Sequence, residues 1–214
     1  MSGDTSLQRL SVTGRRIVTV DARNHGDSPH TDTMTYPLMA ADLAALVQRL
    51  GLTQVSLAGH SMGGRTVMMA ALSRVIDIDK LIVLDISPIN QKFDVTSSNE
   101  WNMEHYFHCL KSVKFNQSLS VSMARKEADQ QLAVRIKEPG LRAWLLMNMR
   151  QDPVTKEIGW RININGIHEA FCKNIAKFPD ITSTYDGYVV KENYPLMIYK
   201  ILITLQSDAV YWRR

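Results

Sequence analysis

Cysteine is scarce in this sequence of 214 residues, which contains only Cys109 and Cys172. Neither cysteine belongs to a C-x-x-C or another metal-ligand spacing, so we expect no structural zinc site and no metal at the functional site. Two isolated cysteines are more often reduced and buried than paired, although pairing between them stays open. This scarcity excludes the class of small secreted domains that disulfides stabilise.

Long apolar runs and clustered charges are also lacking. No stretch reaches the roughly 18 apolar residues of a membrane span, and the apolar segment 194–205, which includes Lys200, predicts a buried strand or helix. The net charge of +4 is spread along the chain, so we expect no nucleic-acid partner. Residues 1–16 resemble a transit peptide in composition, but we favour the end of a helix that leads into the first strand.

The first part of the chain alternates between strand and helix patterns. Residues 16–21, 55–59 and 80–86 read as strands, and residues 36–50 and 62–72 read as helices. Such alternation predicts an α/β fold with a mostly parallel sheet that helices cover on both faces. A hydrophobic fraction of 45% in a chain of this length fits a single domain over residues 1–214.

Residues 90–179 show a different pattern, in which strand signals are sparse. Helical stretches dominate there, notably residues 121–137 and 141–149. An inserted helical segment in an α/β enzyme commonly forms a lid over the carboxyl ends of the strands. A helical subdomain without a gating role is the alternative.

A G-x-S-x-G pattern stands between the second predicted strand and the following helix. It consists of Gly59, His60, Ser61, Met62 and Gly63. Glycines at these two positions permit a sharp turn that lifts a serine hydroxyl clear of the sheet, where a base can activate it. A glycine-rich turn that packs tightly or holds a phosphate is the alternative, but neither phosphate-loop pattern is present. The pattern therefore predicts that Ser61 is a nucleophile.

Three motifs in this order resemble the α/β-hydrolase superfamily: the run at 21–30 (DARNHGDSPH), the elbow at 59–64 (GHSMGG) and the run at 85–88 (DISP). The resemblance is strongest to the branch formed by α/β-hydrolase-domain-containing protein 11 and related bacterial esterases. It covers roughly residues 7–187, and the tail 188–214 diverges from it.

The resemblance implies hydrolysis of carboxylic esters of acyl lipids or other small molecules, diacylglycerol lipase activity included, without a cofactor. It implies that Ser61 is the nucleophile, that the Met62 N–H donates to the oxyanion and that Asp85 is the acid of the triad. A turn aspartate is the alternative for Asp85. The animal members of the branch imply a mitochondrial location, whereas protein partners are not indicated.

The run at 21–30 has a structural and a functional interpretation. Asp21 and Arg23 could hold loops near the site, and His25 could reach a substrate. We favour a structural turn in which Gly26 and Pro29 set the backbone and Asp27 caps it.

Two parts of the family pattern are missing, so we expect a fold that is incomplete at its amino- and carboxyl-terminal edges. No glycine-rich loop for a second oxyanion donor precedes residue 16, and no histidine follows His168, which we expect to be a partly exposed residue of the helical region. His60 adjoins the serine and is expected to point away from it. The general base is therefore unknown, and a catalytically silent, truncated variant that acts as a binding or regulatory protein is the alternative function.

Overall fold

The computed structural model of the chain describes residues 16–88, 103–192 and 201–205. These residues form two compact units. The first contains residues 16–22, 35–88, 174–192 and 201–205, and the second contains residues 23–34 and 103–173. The expected single domain over residues 1–214 stays a prediction.

The described elements follow in chain order. They are β1 (Ile17–Val20), α1 (Tyr36–Arg49), β2 (Val55–His60), α2 (Met62–Leu72), β3 (Ile78–Leu84), α3 (Met103–Ser112), α4 (Val121–Ala133), α5 (Pro139–Leu145), β4 (Met149–Gln151), β5 (Ile158–Trp160), α6 (Ile164–Ala170), β6 (Tyr188–Glu192) and β7 (Ile201–Leu205). A 3₁₀ turn (Leu146–Asn148) follows α5, and a π-helical turn (Phe171–Ile175) continues α6.

The sheet of the first unit has the strand order β1-β7-β2-β3-β6. The strands β2, β3 and β6 pair in parallel, and β7 pairs antiparallel with both β1 and β2. Four strands therefore share one direction, which confirms the predicted mostly parallel sheet. Parallel neighbours require long crossovers, and α2 supplies the crossover from β2 to β3.

The helix α1 begins and ends at the signals that the sequence carries. The Thr35 side chain accepts a hydrogen bond from the Leu38 N–H at its start, and Gly51 adopts a left-handed φ of 64° just after its end. The strand β3 ends at Leu84, two residues before the predicted end at residue 86. Its end matters for function because Asp85 then lies at the tip of the strand rather than inside it.

The core of the first unit lies between α1, α2 and the sheet. All six residues of β2 are buried, and in α2 nine of the eleven are. Leu57 and Val67 are completely inaccessible, and each buried aliphatic side chain of this size contributes roughly 1.5–3 kcal/mol. The elbow between β2 and α2 is thus anchored on both sides by buried elements.

The divergent tail contributes two strands to this sheet. The backbone of β6 pairs with β3 at one edge, and the backbone of β7 lies between β1 and β2. The apolar segment 194–205 was expected to form a strand or a helix, and its last five residues form the strand β7. Residues 194–200 lie outside the described part of the chain.

The second unit is mainly helical, as the sequence indicates, with one short hairpin of β4 and β5. Both of its cysteines are free. Cys109 is buried as expected, but Cys172, on the π-helical turn, is exposed. None of the helices in the described ranges is long and apolar enough to cross a membrane. A lid over the strand ends stays a prediction.

Candidate functional site

Ser61 occupies a strained backbone conformation between β2 and α2. Its φ of 51° and ψ of −117° lie in a region that residues with a Cβ rarely adopt. Its N–H donates to the Leu84 carbonyl at 3.0 Å, and its carbonyl accepts from the Arg65 N–H at 3.0 Å. The Ser61 side chain makes no capping hydrogen bond with α2, so the fold does not use this hydroxyl to start the helix.

Glycines make the turn at Ser61 possible because the helix passes close to the strand. A Cβ on Gly59 would lie 2.3 Å from both the carbonyl carbon and the oxygen of Gly63. A Cβ on Gly64 would lie 2.6 Å from Cγ2 of Ile86. Of the two elbow glycines that the sequence singled out, Gly59 is therefore required by backbone proximity, and Gly64 is required mainly by its approach to the Ile86 side chain.

Met62 is the first residue of α2. The first N–H groups of a helix have no carbonyl partner within it, and the partial positive charge of the helix amino terminus adds to them. The structure therefore places one unsatisfied donor directly after Ser61, where the sequence expects an oxyanion donor.

Asp85 follows the carboxyl end of β3, the strand beside β2. Because His60 is in register with Leu84, the residues after them, Ser61 and Asp85, leave the sheet at the same edge. Asp85 has a left-handed φ of 55°, and half of its side chain is exposed. Its carboxylate oxygen Oδ2 lies 3.5 Å from Nε2 of His60.

His60 is a site residue that the sequence analysis set aside. Its imidazole is buried at the end of β2 and faces Asp85 rather than pointing into the core alone. Of the six histidines, all of which lie in the described ranges, His60 is the one that shares a compact unit with Ser61 and Asp85. The contact depends on the register of β2 with β3, for which the sequence carries no local signal.

Arg65 is a second residue that the sequence analysis missed. Its buried guanidinium donates to the Ser87 carbonyl at 3.3 Å and to the Ala176 carbonyl at 3.2 Å. It thereby connects the elbow helix with the loop that carries Asp85. Burial raises the pKa of the neighbouring Tyr36, and the Arg65 charge opposes that rise. The signal in the sequence was a lone charge in an otherwise uncharged helix pattern.

The run at 21–30 forms a structural turn, as favoured above. Asn24 is buried with a φ of 67°, and its side chain accepts a hydrogen bond from the Thr31 N–H at 2.7 Å. Asp27 pairs with Arg161 at 2.8 Å and with Arg150 at 2.5 Å, and these guanidinium groups lower the pKa of its carboxyl. Asp27 therefore pairs with two arginines of the second unit instead of only capping the turn, as the sequence interpretation had it.

His168 is half-buried in α6, so it belongs to the helical region as expected. Its contacts lie within the second unit, with Glu104, Lys111 and Phe107. The expectation that it is not the base of the serine stays a prediction.

Comparisons with known proteins show what this chain is similar to. Residues 5–144 match the family described as the alpha/beta hydrolase fold. The chain is 37% identical over 194 residues to the sn-1-specific diacylglycerol lipase ABHD11 of Xenopus laevis, covering 86% of this chain and 59% of the relative. The mouse (Mus musculus) protein of that name is 39% identical over 184 residues, covering 85% and 57%.

A solved structure, that of a marine microorganism esterase, superposes with a TM-score of 0.69 at 33% identity, covering 80% of this chain and 63% of that one. The chain thus spans less than two thirds of the length of each of these proteins. The predicted fold and the resemblance to this branch are confirmed.

Proposed function

Because the chain belongs to the family of the alpha/beta hydrolase fold, we propose that it is a serine hydrolase of carboxylic esters that reacts through an acyl-enzyme on Ser61. The observation that carries the proposal is the strained backbone of Ser61. Strain of about 1–3 kcal/mol at a non-glycine residue persists only where the surrounding structure imposes it, and such residues concentrate at active sites.

The reaction follows from the groups at the elbow. The Ser61 Oγ attacks the ester carbonyl carbon while a base accepts its proton, and the Met62 N–H donates to the resulting oxyanion. Collapse of the tetrahedral intermediate breaks the bond to the alcohol oxygen, which leaves with the proton. Water then attacks the acyl-enzyme in the same manner, releasing the carboxylic acid and restoring the serine hydroxyl.

Asp85 acts in this proposal by orienting an imidazole and stabilising its charged form. The imidazole in contact with Asp85 is that of His60, which makes His60 the first histidine to test as the base. His60 precedes Ser61 directly on the strand, so the backbone of the elbow must bring the two side chains together for this role.

The relatives suggest the substrate class. Two of them are described as sn-1-specific diacylglycerol lipases, which supports an acyl-lipid ester such as a diacylglycerol as the substrate of this chain. The reaction requires no cofactor. A mitochondrial location accompanies this proposal as an expectation from the same branch.

A fluorophosphonate probe, which reacts covalently with activated serines, tests the proposal on the purified full chain. We expect the probe to label the wild type but not Ser61→Ala. The matched control is Ser56→Ala, which removes a buried serine of β2 and should still be labelled. Asp85→Asn should slow diacylglycerol hydrolysis by about 10⁴-fold, and His60→Asn should do the same if His60 is the base. A folded wild type that is neither labelled nor active would favour the catalytically silent binding protein instead.

A further inference from the structure

Two helices of the second unit each carry a pair of metal-ligating side chains spaced four residues apart. Glu104 and His108 lie on α3, and His168 lies on α6 four residues before Cys172 on the π-helical turn. Residues four apart on a helix share one face. The packing of α3 against α6 therefore brings together four potential ligands, two of which lie about sixty residues before the other two in the sequence.

The side-chain atoms of this cluster are close to one another. The Glu104 Oε2 lies 2.8 Å from Nε2 of His168 and 3.3 Å from Sγ of Cys172. The other oxygen of the same carboxylate, Oε1, lies 3.2 Å from Nε2 of His108. One ligand atom each from Glu104, His168 and Cys172 lies within 4.8 Å of the others.

His168 is the least exposed member of the cluster. Its ring stacks on that of Phe107, with the ring centroids 4.8 Å apart, and only 13% of its side chain is exposed. Its Nε2 is shielded from solvent and lies 2.8 Å from the Glu104 carboxylate, whose pKa this contact lowers. A shielded ring nitrogen thus already faces another potential ligand of the cluster.

We propose that Glu104, His108, His168 and Cys172 form a site for Zn²⁺ that connects α3 with α6. Zinc takes thiolate, imidazole and carboxylate ligands in tetrahedral geometry at about 2.0–2.3 Å, which corresponds to ligand atoms roughly 3.3–3.8 Å apart. The separations among Glu104, His168 and Cys172, from 2.8 Å to at most 4.8 Å, bracket these values. His108 contacts the other oxygen of Glu104 and would join them by rotation of its exposed side chain. Binding releases the thiol proton of Cys172 to water and requires the ring proton of His168 to move from Nε2 to Nδ1, so that Nε2 can donate its lone pair to the metal.

Lys111 competes with the metal at this site. Its ammonium lies 2.6 Å from Nδ1 of His168, so it donates to that nitrogen and leaves the proton of the neutral imidazole on Nε2. Zinc on Nε2 requires the opposite tautomer, so Lys111 must turn away. Lys111 is exposed and can do so. Replacement of Lys111 by glutamine should therefore increase the affinity for zinc.

The test uses the full chain after treatment with a chelator. Zinc is titrated in competition with a fluorescent chelator, and Co²⁺ is added separately to detect a thiolate-to-cobalt charge-transfer band. We expect one Zn²⁺ per chain with a dissociation constant of about 1 μM or lower. Cys172→Ser should remove the cobalt band and weaken zinc binding by at least about tenfold. His108→Asn should weaken zinc binding to a similar extent, whereas Lys111→Gln should strengthen zinc binding.

Cys109→Ser is the matched control, because Cys109 is the other free thiol of this unit and lies outside the cluster. It should leave both the cobalt band and the zinc affinity unchanged. Circular dichroism establishes that each variant is folded, and His108, whose side chain is 62% exposed, can be replaced without disturbing the core. The inference is wrong if the folded wild type binds no zinc, or if the cobalt band survives in Cys172→Ser.

Discussion

Replacing Ser61 by alanine and by glycine separates the strain of the elbow from the loss of the hydroxyl. Both variants remove the Oγ, but only glycine also removes the Cβ that makes a φ of 51° with a ψ of −117° unfavourable. We therefore expect Ser61→Gly to be more stable than Ser61→Ala. Both should be unreactive towards an ester or a fluorophosphonate.

The size of the difference follows from two opposing effects. Relief of strain in a sparsely populated backbone region contributes about 1–3 kcal/mol. The larger entropy of glycine in the unfolded chain removes roughly 0.5–1 kcal/mol of that gain. We therefore expect the free energy of unfolding of Ser61→Gly to exceed that of Ser61→Ala by about 0.5–2 kcal/mol.

Equilibrium unfolding in urea, followed by far-ultraviolet circular dichroism, measures this difference. Ser73, at the other end of the same helix, is the matched control because its φ of −81° and ψ of −7° are ordinary. There Ser73→Gly should be less stable than Ser73→Ala by about 0.5–1 kcal/mol, the opposite sign. The same sign at both positions would refute the claim that the fold holds Ser61 under strain.

Three further predictions concern packing and charge. Gly59→Ala should destabilise the chain by about 3 kcal/mol or more, because the added Cβ would lie 2.3 Å from the backbone of Gly63. In the control Gly159→Ala the added Cβ meets no such neighbour within 4 Å, so stability in urea should change little. Tyr36→Phe should cost about 1–2 kcal/mol in the same assay, since the buried hydroxyl donates to the Ile175 carbonyl at 2.9 Å. Arg161 and Arg150 lower the pKa of Asp27 below its ordinary 3.8, so these ion pairs stabilise the fold above that pH. The stabilisation is lost as the pH falls through the lowered pKa, because the carboxyl group becomes neutral. The stability difference between wild type and Asp27→Asn should therefore shrink on acidification, and a difference that is constant with pH would contradict the ion pairs.

The elbow could be predicted from the sequence because its signals are local. A buried strand, two glycines around Ser61 and the start of an apolar helix pattern determine the turn within a dozen residues. The end of α1 was likewise indicated by a single residue, Gly51, which lies just after the helix. The end of β3 was placed two residues late, because apolar residues continue past Leu84 and a pattern of apolarity does not show where pairing stops.

Features that depend on distant pairing could not be predicted in this way. The apolar pattern of 194–205 allowed a strand or a helix, and only tertiary structure places β7 antiparallel between β1 and β2. The contact of His60 with Asp85 depends on the register of two strands. The expectation of no zinc site rests on the spacing of the cysteines and stays a prediction, and the zinc titration proposed above tests it.

Mass spectrometry of the labelled chain tests the central claim, that Ser61 is an activated nucleophile. Trypsin cleavage after Arg49 and Arg65 yields a peptide of residues 50–65 that contains two serines, Ser56 and Ser61. After reaction of the folded protein with a fluorophosphonate, fragment ions should place the adduct on Ser61 and leave Ser56 unmodified. An unmodified peptide from folded protein, or an adduct on Ser56, would contradict the account.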